Sequence, residues 1–152
     1  MLPTPKKFTL VSGSAEGKTK LTAFDKALLA SGIGNLNLLK VSSVLPAGAQ
    51  YVEKLDIPPA SLTPTAYGYI TSDVPGEIIS AAIGVGMSDG TFGIIMEFSG
   101  KCSAAEAEEQ IREMVKEAFE VRGMDLTDIK VKAVEHKVEK IGCAFAGAAL
   151  WY

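Results

Sequence analysis

Apolar residues recur along this chain with two spacings, near two and near 3.6, and the switches between them mark out its elements. Residues 1–20 are polar and rich in Gly, Ser and Lys, with one apolar run, Phe8-Thr9-Leu10-Val11, that predicts an edge strand. Residues 22–31 predict a short helix with Thr22 as N-cap, Phe24, Ala27 and Leu28 on one face, and Gly32 as its stop. In GIGNLNLLKVSSVLP, Leu36, Leu38 and Val41 alternate with polar positions, which predicts a strand running into a serine pair and stopped by Pro46.

Residues 46–64, with four prolines, predict a loop. Strands are expected over 65–72 and 77–87, and Asp73-Val74-Pro75-Gly76 between them suits a type II turn and hence a hairpin. Ser88-Asp89-Gly90 leads to another strand over 91–98. The clearest helix spans 103–122: Ser103 and Glu106 form a capping box, Ile111, Met114, Val115 and Ala118 share a face, and Gly123 closes it. Residues 129–133 alternate, predicting a strand with one wet face, whereas 143–152 is almost wholly apolar and predicts a strand buried on both. Tight turns between sequential strands point to an α+β fold, mainly antiparallel sheets packed as a sandwich with outer helices.

Composition narrows the picture. The 152 residues suit a single domain, and 47% hydrophobic with 22% charged residues is globular. No apolar run approaches the roughly 20 residues of a membrane span, and the opening stretch lacks a signal-peptide core, so no membrane is expected and the cytoplasm is the default. A net charge of −3 argues against general nucleic-acid affinity. Residues 1–42 carry six Lys and two acids, +4, which leaves nine bases and sixteen acids, −7, on 43–152. Cys102 and Cys143 read as reduced core thiols, and with one His and no CxxC a structural zinc site is not expected.

Common catalytic templates fail. His136 stands alone on a strand without a GxSxG elbow, so no Ser-His-Asp triad is expected and a strand-face role suits it. Gly84-Val85-Gly86 is too short for a dinucleotide fingerprint and reads as glycine easing close sheet packing. Tyr67 and Tyr69 read as core aromatics with hydroxyls reaching a partner, and Trp151 and Tyr152 as packing or interface residues. What remains is Ser42-Ser43, which alone signals little.

The stretch LTAFDKALLASGIGNLNLLKVSSVLP, followed by PTAYGYITSDVPGEIISAAI, IIMEFSGKCS and AVEHKVEKIGCAFAGAALWY, resembles the pyruvoyl-dependent arginine decarboxylases known from archaea, over nearly the whole chain after about residue 8. The resemblance implies self-cleavage between Ser42 and Ser43 into 1–42 and 43–152. The Ser43 hydroxyl would attack the Ser42 carbonyl to give an ester, and β-elimination followed by hydrolysis would leave a covalent pyruvoyl group in place of Ser43. It further implies decarboxylation of arginine to agmatine, feeding polyamine synthesis, with Glu97 as proton donor and Asp25 as guanidinium acceptor. Asn37 is implied as an aid to processing. Trimers or pairs of trimers, with the site between protomers, are implied too.

The residues themselves leave alternatives open. Without the resemblance, Asn37 reads as a polar residue that caps or pairs with nearby backbone. Glu97 could face solvent on an alternating strand, and Asp25 could complete a capping box with Thr22. An aspartate decarboxylase would need a cation where Asp25 stands, and a non-catalytic scaffold would not need Ser42, Ser43, Asn37 and Glu97 together.

Overall fold

The structure is a computed structural model, and it describes residues 2–152. Among them it has nine strands and two helices. The chain begins with β1 (Lys7–Glu16), α1 (Lys20–Ser31), β2 (Asn37–Lys40), β3 (Val44–Leu45) and β4 (Gln50–Tyr51). It continues with β5 (Leu62–Ser72), β6 (Ile78–Met87), β7 (Gly93–Gly100), α2 (Ala104–Arg122), β8 (Asp128–Lys137) and β9 (Gly142–Trp151).

The strands form two sheets, ordered β2-β5-β9-β1-β4 and β3-β7-β6-β8. Alternation along each strand divides the apolar side chains between the gap separating the sheets and the two outer faces. Leu10, Ile83, Val85, Ile95, Ala146 and Leu150 meet between the sheets. Ile111, Val115 and Phe119 seal α2 onto the second sheet, and Ala23, Ala27 and Leu28 seal α1 onto Cys143 and Phe145 of the first. The layers therefore run α1, sheet, sheet, α2, the α+β sandwich expected.

The last strand is buried on both faces, as its pattern predicts, because it is the middle strand of its sheet, between β5 and β1. Gly84 and Gly86 admit α2: a Cβ on them would stand 2.2 Å from Ile111 Cγ2 and 2.6 Å from Phe119 Cε2. Cys102 and Cys143 are free, and burial pushes the Cys143 thiol up to about 12. No described helix is long and apolar enough to cross a membrane.

Several local expectations are corrected. The first strand is ten residues long and pairs with β9 along its whole length, with only the short β4 on its other side. Helix α1 starts earlier: Thr19 is the N-cap, accepting from Thr22 N–H at 3.1 Å, while the Thr22 hydroxyl accepts from Thr19 N–H at 3.0 Å. Residues 65–72 and 77–87 do not pair as a hairpin. β5 lies between β2 and β9, β6 lies between β7 and β8, and the turn at 73–76 carries the chain from one sheet to the other. Gly76, at φ +85°, donates to the Val138 carbonyl at 2.7 Å, so the turn is tied to the β8 end rather than to a ladder. The pairings β2–β5 and β1–β4 are parallel. Tyr67 and Tyr69 pack around Phe24 beneath α1, but Tyr69 is partly exposed, and among the described residues neither hydroxyl has a hydrogen-bond partner.

Candidate active site

The predicted strand through the serine pair is two strands in two sheets. β2 pairs with β5 in the first, β3 pairs with β7 in the second, and residues 41–43 cross the gap. Each end of the crossing is tied by backbone: Val41 N–H donates to the Thr65 carbonyl at 3.1 Å, and Ile95 N–H donates to the Ser43 carbonyl at 2.7 Å. The Ser42–Ser43 peptide is thus held between two sheets, with Ser42 exposed and Ser43 half-buried. Among the described residues neither serine hydroxyl is engaged in a hydrogen bond, which leaves Ser43 Oγ available as a nucleophile.

Glu97 lies two residues beyond Ile95 on β7, so both side chains point to the same face. Ile95 enters the core between the sheets, whereas Ile94, Met96 and Phe98 point towards α2. Glu97 therefore points into the gap, and it packs across it against Gly68 of β5, where an added Cβ would stand 3.2 Å from Glu97 Cβ. Burial raises its carboxyl pKa above the ordinary value, opposed in part by the Lys40 ammonium. Lys40, on β2 just before the crossing, holds its ammonium 4.7 Å from the centre of the Tyr67 ring. The result is a half-buried acid disposed to hold its proton, reached from the same β7 backbone that grips Ser43. No described group of His, Cys, Asp or Glu is arranged to hold a metal ion.

The other two expected residues are not brought to this point within one chain. Asn37 stands at the start of β2, four residues and about 13 Å of extended strand before Val41. Its Nδ2 donates to the Ala60 carbonyl at 3.0 Å, anchoring the loop that leads into β5. Asp25 is on α1, which covers the outer face of the first sheet, while Glu97 faces inward. Because Thr19 and Thr22 close the capping box, Asp25 is released from that duty, and its exposed carboxylate has no hydrogen bond or ion pair among the described residues.

Sequence reasoning missed three contributors. Gly68 gives Glu97 its room, and a glycine inside a strand is the signal that marks such an approach. Lys40 and the backbone N–H of Ile95 gave no signal, because their roles depend on which strands adjoin.

A serine pair on a sheet-to-sheet crossing, held by the same strand that carries a half-buried carboxyl of raised pKa, is the arrangement a self-processing enzyme would need. The chain belongs to the pyruvoyl-dependent arginine decarboxylase family, whose model matches residues 7–152. Curated relatives bear the same name. That of Methanocaldococcus jannaschii is 57% identical over 97% of this chain and 91% of its own length. Those of Methanococcus vannielii and Pyrococcus horikoshii are each 47% identical, over 97% and 98% of this chain and 92% and 96% of theirs. Enzymes of this family work through a covalent pyruvoyl group formed from a serine.

Proposed function

We propose that this chain cuts itself between Ser42 and Ser43 and then decarboxylates L-arginine to agmatine. The observation that carries the reading is the position of that bond, strung between the two sheets and gripped at Ser43 by the strand that carries the half-buried Glu97. In the cut, Ser43 Oγ attacks the Ser42 carbonyl and the acyl group moves from nitrogen to oxygen. β-Elimination frees residues 1–42 with a carboxylate at Ser42. Residue 43 is left as dehydroalanine, which takes up water and loses ammonia to become pyruvoyl. The Ile95–Ser43 and Val41–Thr65 hydrogen bonds hold the flanks still while the bond between them changes. Asn37 enters as an aid to this step, donating to the developing oxyanion of another copy, since its own crossing lies out of reach.

At the new terminus the pyruvoyl carbonyl supplies the electron sink for loss of carbon dioxide. Glu97 keeps a proton on its carboxyl oxygen and returns it to the substrate's α-carbon. Asp25 accepts the guanidinium through both carboxylate oxygens. Because Asp25 and Glu97 lie on opposite sides of the first sheet, Asp25 serves the site of a neighbouring copy, and the trimer or pair of trimers that the family resemblance implies would supply one. The free thiols Cys102 and Cys143 fit a reducing compartment, in keeping with the cytoplasm.

The test is an intact-mass measurement. Wild-type protein is expected as two pieces, 1–42 and a pyruvoyl-capped 43–152, and Ser43→Ala as one inactive chain. Full activity in Ser43→Ala would falsify the pyruvoyl mechanism.

A further inference from the structure

Away from the crossing, a polar cluster joins the N-terminal stretch to the rest of the chain where β1 hands over to α1. Glu16, the last residue of β1, directs its carboxylate at donors from the far end of the sequence. His136 Nε2 lies 2.6 Å from Oε2, and the N–H groups of Lys140 and Ile141 donate to Oε1 at 2.7 and 3.1 Å. Gly17 N–H donates in turn to the Ile141 carbonyl at 3.0 Å. Gly142 makes the room, since a Cβ there would stand 2.6 Å from both Glu16 Oε2 and His136 Cδ2. The Glu16 and His136 side chains are only 25% and 16% exposed.

We propose that Glu16 and His136 form a clasp that keeps residues 1–42 in register on residues 43–152 after the cut, and so positions the helix that carries Asp25. The proposal rests on the self-cleavage reading given above. Once the peptide is broken, nothing covalent holds β1 and α1 in place. Their apolar contacts favour association, but a two-residue slip of β1 along β9 keeps every side chain on its proper face. A directed contact at the strand end forbids that slip. Thr19 caps α1 only three residues after Glu16, so whatever fixes Glu16 fixes the start of the helix bearing Asp25.

Bulk charge does not account for this contact. Residues 1–42 carry only two acids against six Lys, and one of those two acids is driven into the acidic partner piece. The groups around it are Lys18 and Lys26 from the first stretch and Glu139 and Lys140 from the β8–β9 turn. β9 offers Gly142 and Cys143 there, and β6 sets the apolar Ile79 opposite His136. Burial resists the Glu16 charge, but the His136 and backbone donors outweigh it and bring the carboxyl down to about 2.

The experiment compares full-length wild type, Glu16→Gln, His136→Ala and His136→Gln, each first weighed intact. All four are expected to be fully cut, because the clasp is remote from Ser43. After dilution at neutral pH, size exclusion followed by mass measurement reads how fast 1–42 is lost. Glu16→Gln and His136→Ala should lose it about tenfold faster or more, the effect of removing one charge-assisted hydrogen bond. They should also show a raised KM for arginine with kcat of the retained complex little changed. His136→Gln, which keeps a side-chain N–H donor, should recover part of the retention, a rescue that mere packing loss would not give. Cut variants that hold 1–42 and arginine as wild type does would overturn the clasp and leave the processing reading standing. An uncut wild-type chain would overturn both, and the initial mass measurement distinguishes the two outcomes.

Discussion

Glu97 shows how much a single side chain's task depends on which side of its strand it takes. Facing water it would be an ordinary carboxylate; facing Gly68 across the sheet gap, it is desolvated and holds its proton to higher pH. Decarboxylation should therefore fall as pH rises through that elevated pKa, since the proton to be delivered is then lost. Glu97→Gln should still cut itself but turn over about 10²–10⁴-fold more slowly, read by agmatine formation; unchanged turnover would place the donor elsewhere. Asp25→Asn should process normally and bind arginine about 10- to 100-fold more weakly, because a charge-assisted pair is lost, and should discriminate less against uncharged analogues. Glu16 works in the opposite sense to Glu97. Its carboxyl is held at about 2 against an ordinary 4.5, so it stabilises the fold above 4.5 and that contribution drains away as pH falls towards 2. Glu16→Gln should flatten the acid limb of a denaturation–pH curve across that window.

At the scale of elements, the crossing of residues 41–43 exists because β2 and β3 find partners in different sheets. The parallel β2–β5 ladder leaves β2 an edge strand only four residues long, which ends where Val41 gives its N–H to Thr65. Its far end is secured by Asn37 on the Ala60 carbonyl. Asn37→Ala should slow the appearance of the 1–42 piece in a time course of intact masses; an unchanged rate would confine Asn37 to anchoring the loop. Helix α1 presents a second case. Thr19→Ala removes the cap and should cost about 1 kcal/mol by denaturant unfolding. The same change should loosen the helix that offers Asp25.

At the scale of the molecule, two sheets with a helix outside each give a sandwich in which Glu97 faces inward while Asp25, on the outer helix, faces outward. Within one copy, Asp25 and Glu97 therefore stand on opposite sides of the first sheet. Co-expressed Asp25→Asn and Glu97→Gln chains should therefore regain activity in mixed assemblies, because some sites then pair an intact Asp25 with an intact Glu97. Absence of any regained activity in assemblies shown by mass to be mixed would return the whole site to one protomer. The charge division, +4 on 1–42 and −7 on 43–152, would favour the two pieces of a cut chain staying together, while Glu16 supplies a directed contact that net charge lacks.

Local chemistry and period by themselves determined most elements. Ser103 and Gly123 bound α2 as expected, Gly32 ends α1, and the unbroken apolar run of β9 foretold a strand covered on both faces. Family resemblance, rather than physics, pointed to Ser43, Glu97, Asn37 and Asp25, since a serine pair or a lone glutamate looks the same in any strand. Tertiary structure alone decided what depends on long-range partners. The turn at 73–76 has hairpin chemistry, yet the strands it joins each had two better neighbours waiting in separate sheets. The Ser42–Ser43 peptide looked like the end of one strand and is a bridge between two. Side-chain spacing reports which faces are apolar, but not which sheet a strand joins, nor what stands opposite it across a gap; those follow only when the whole core closes.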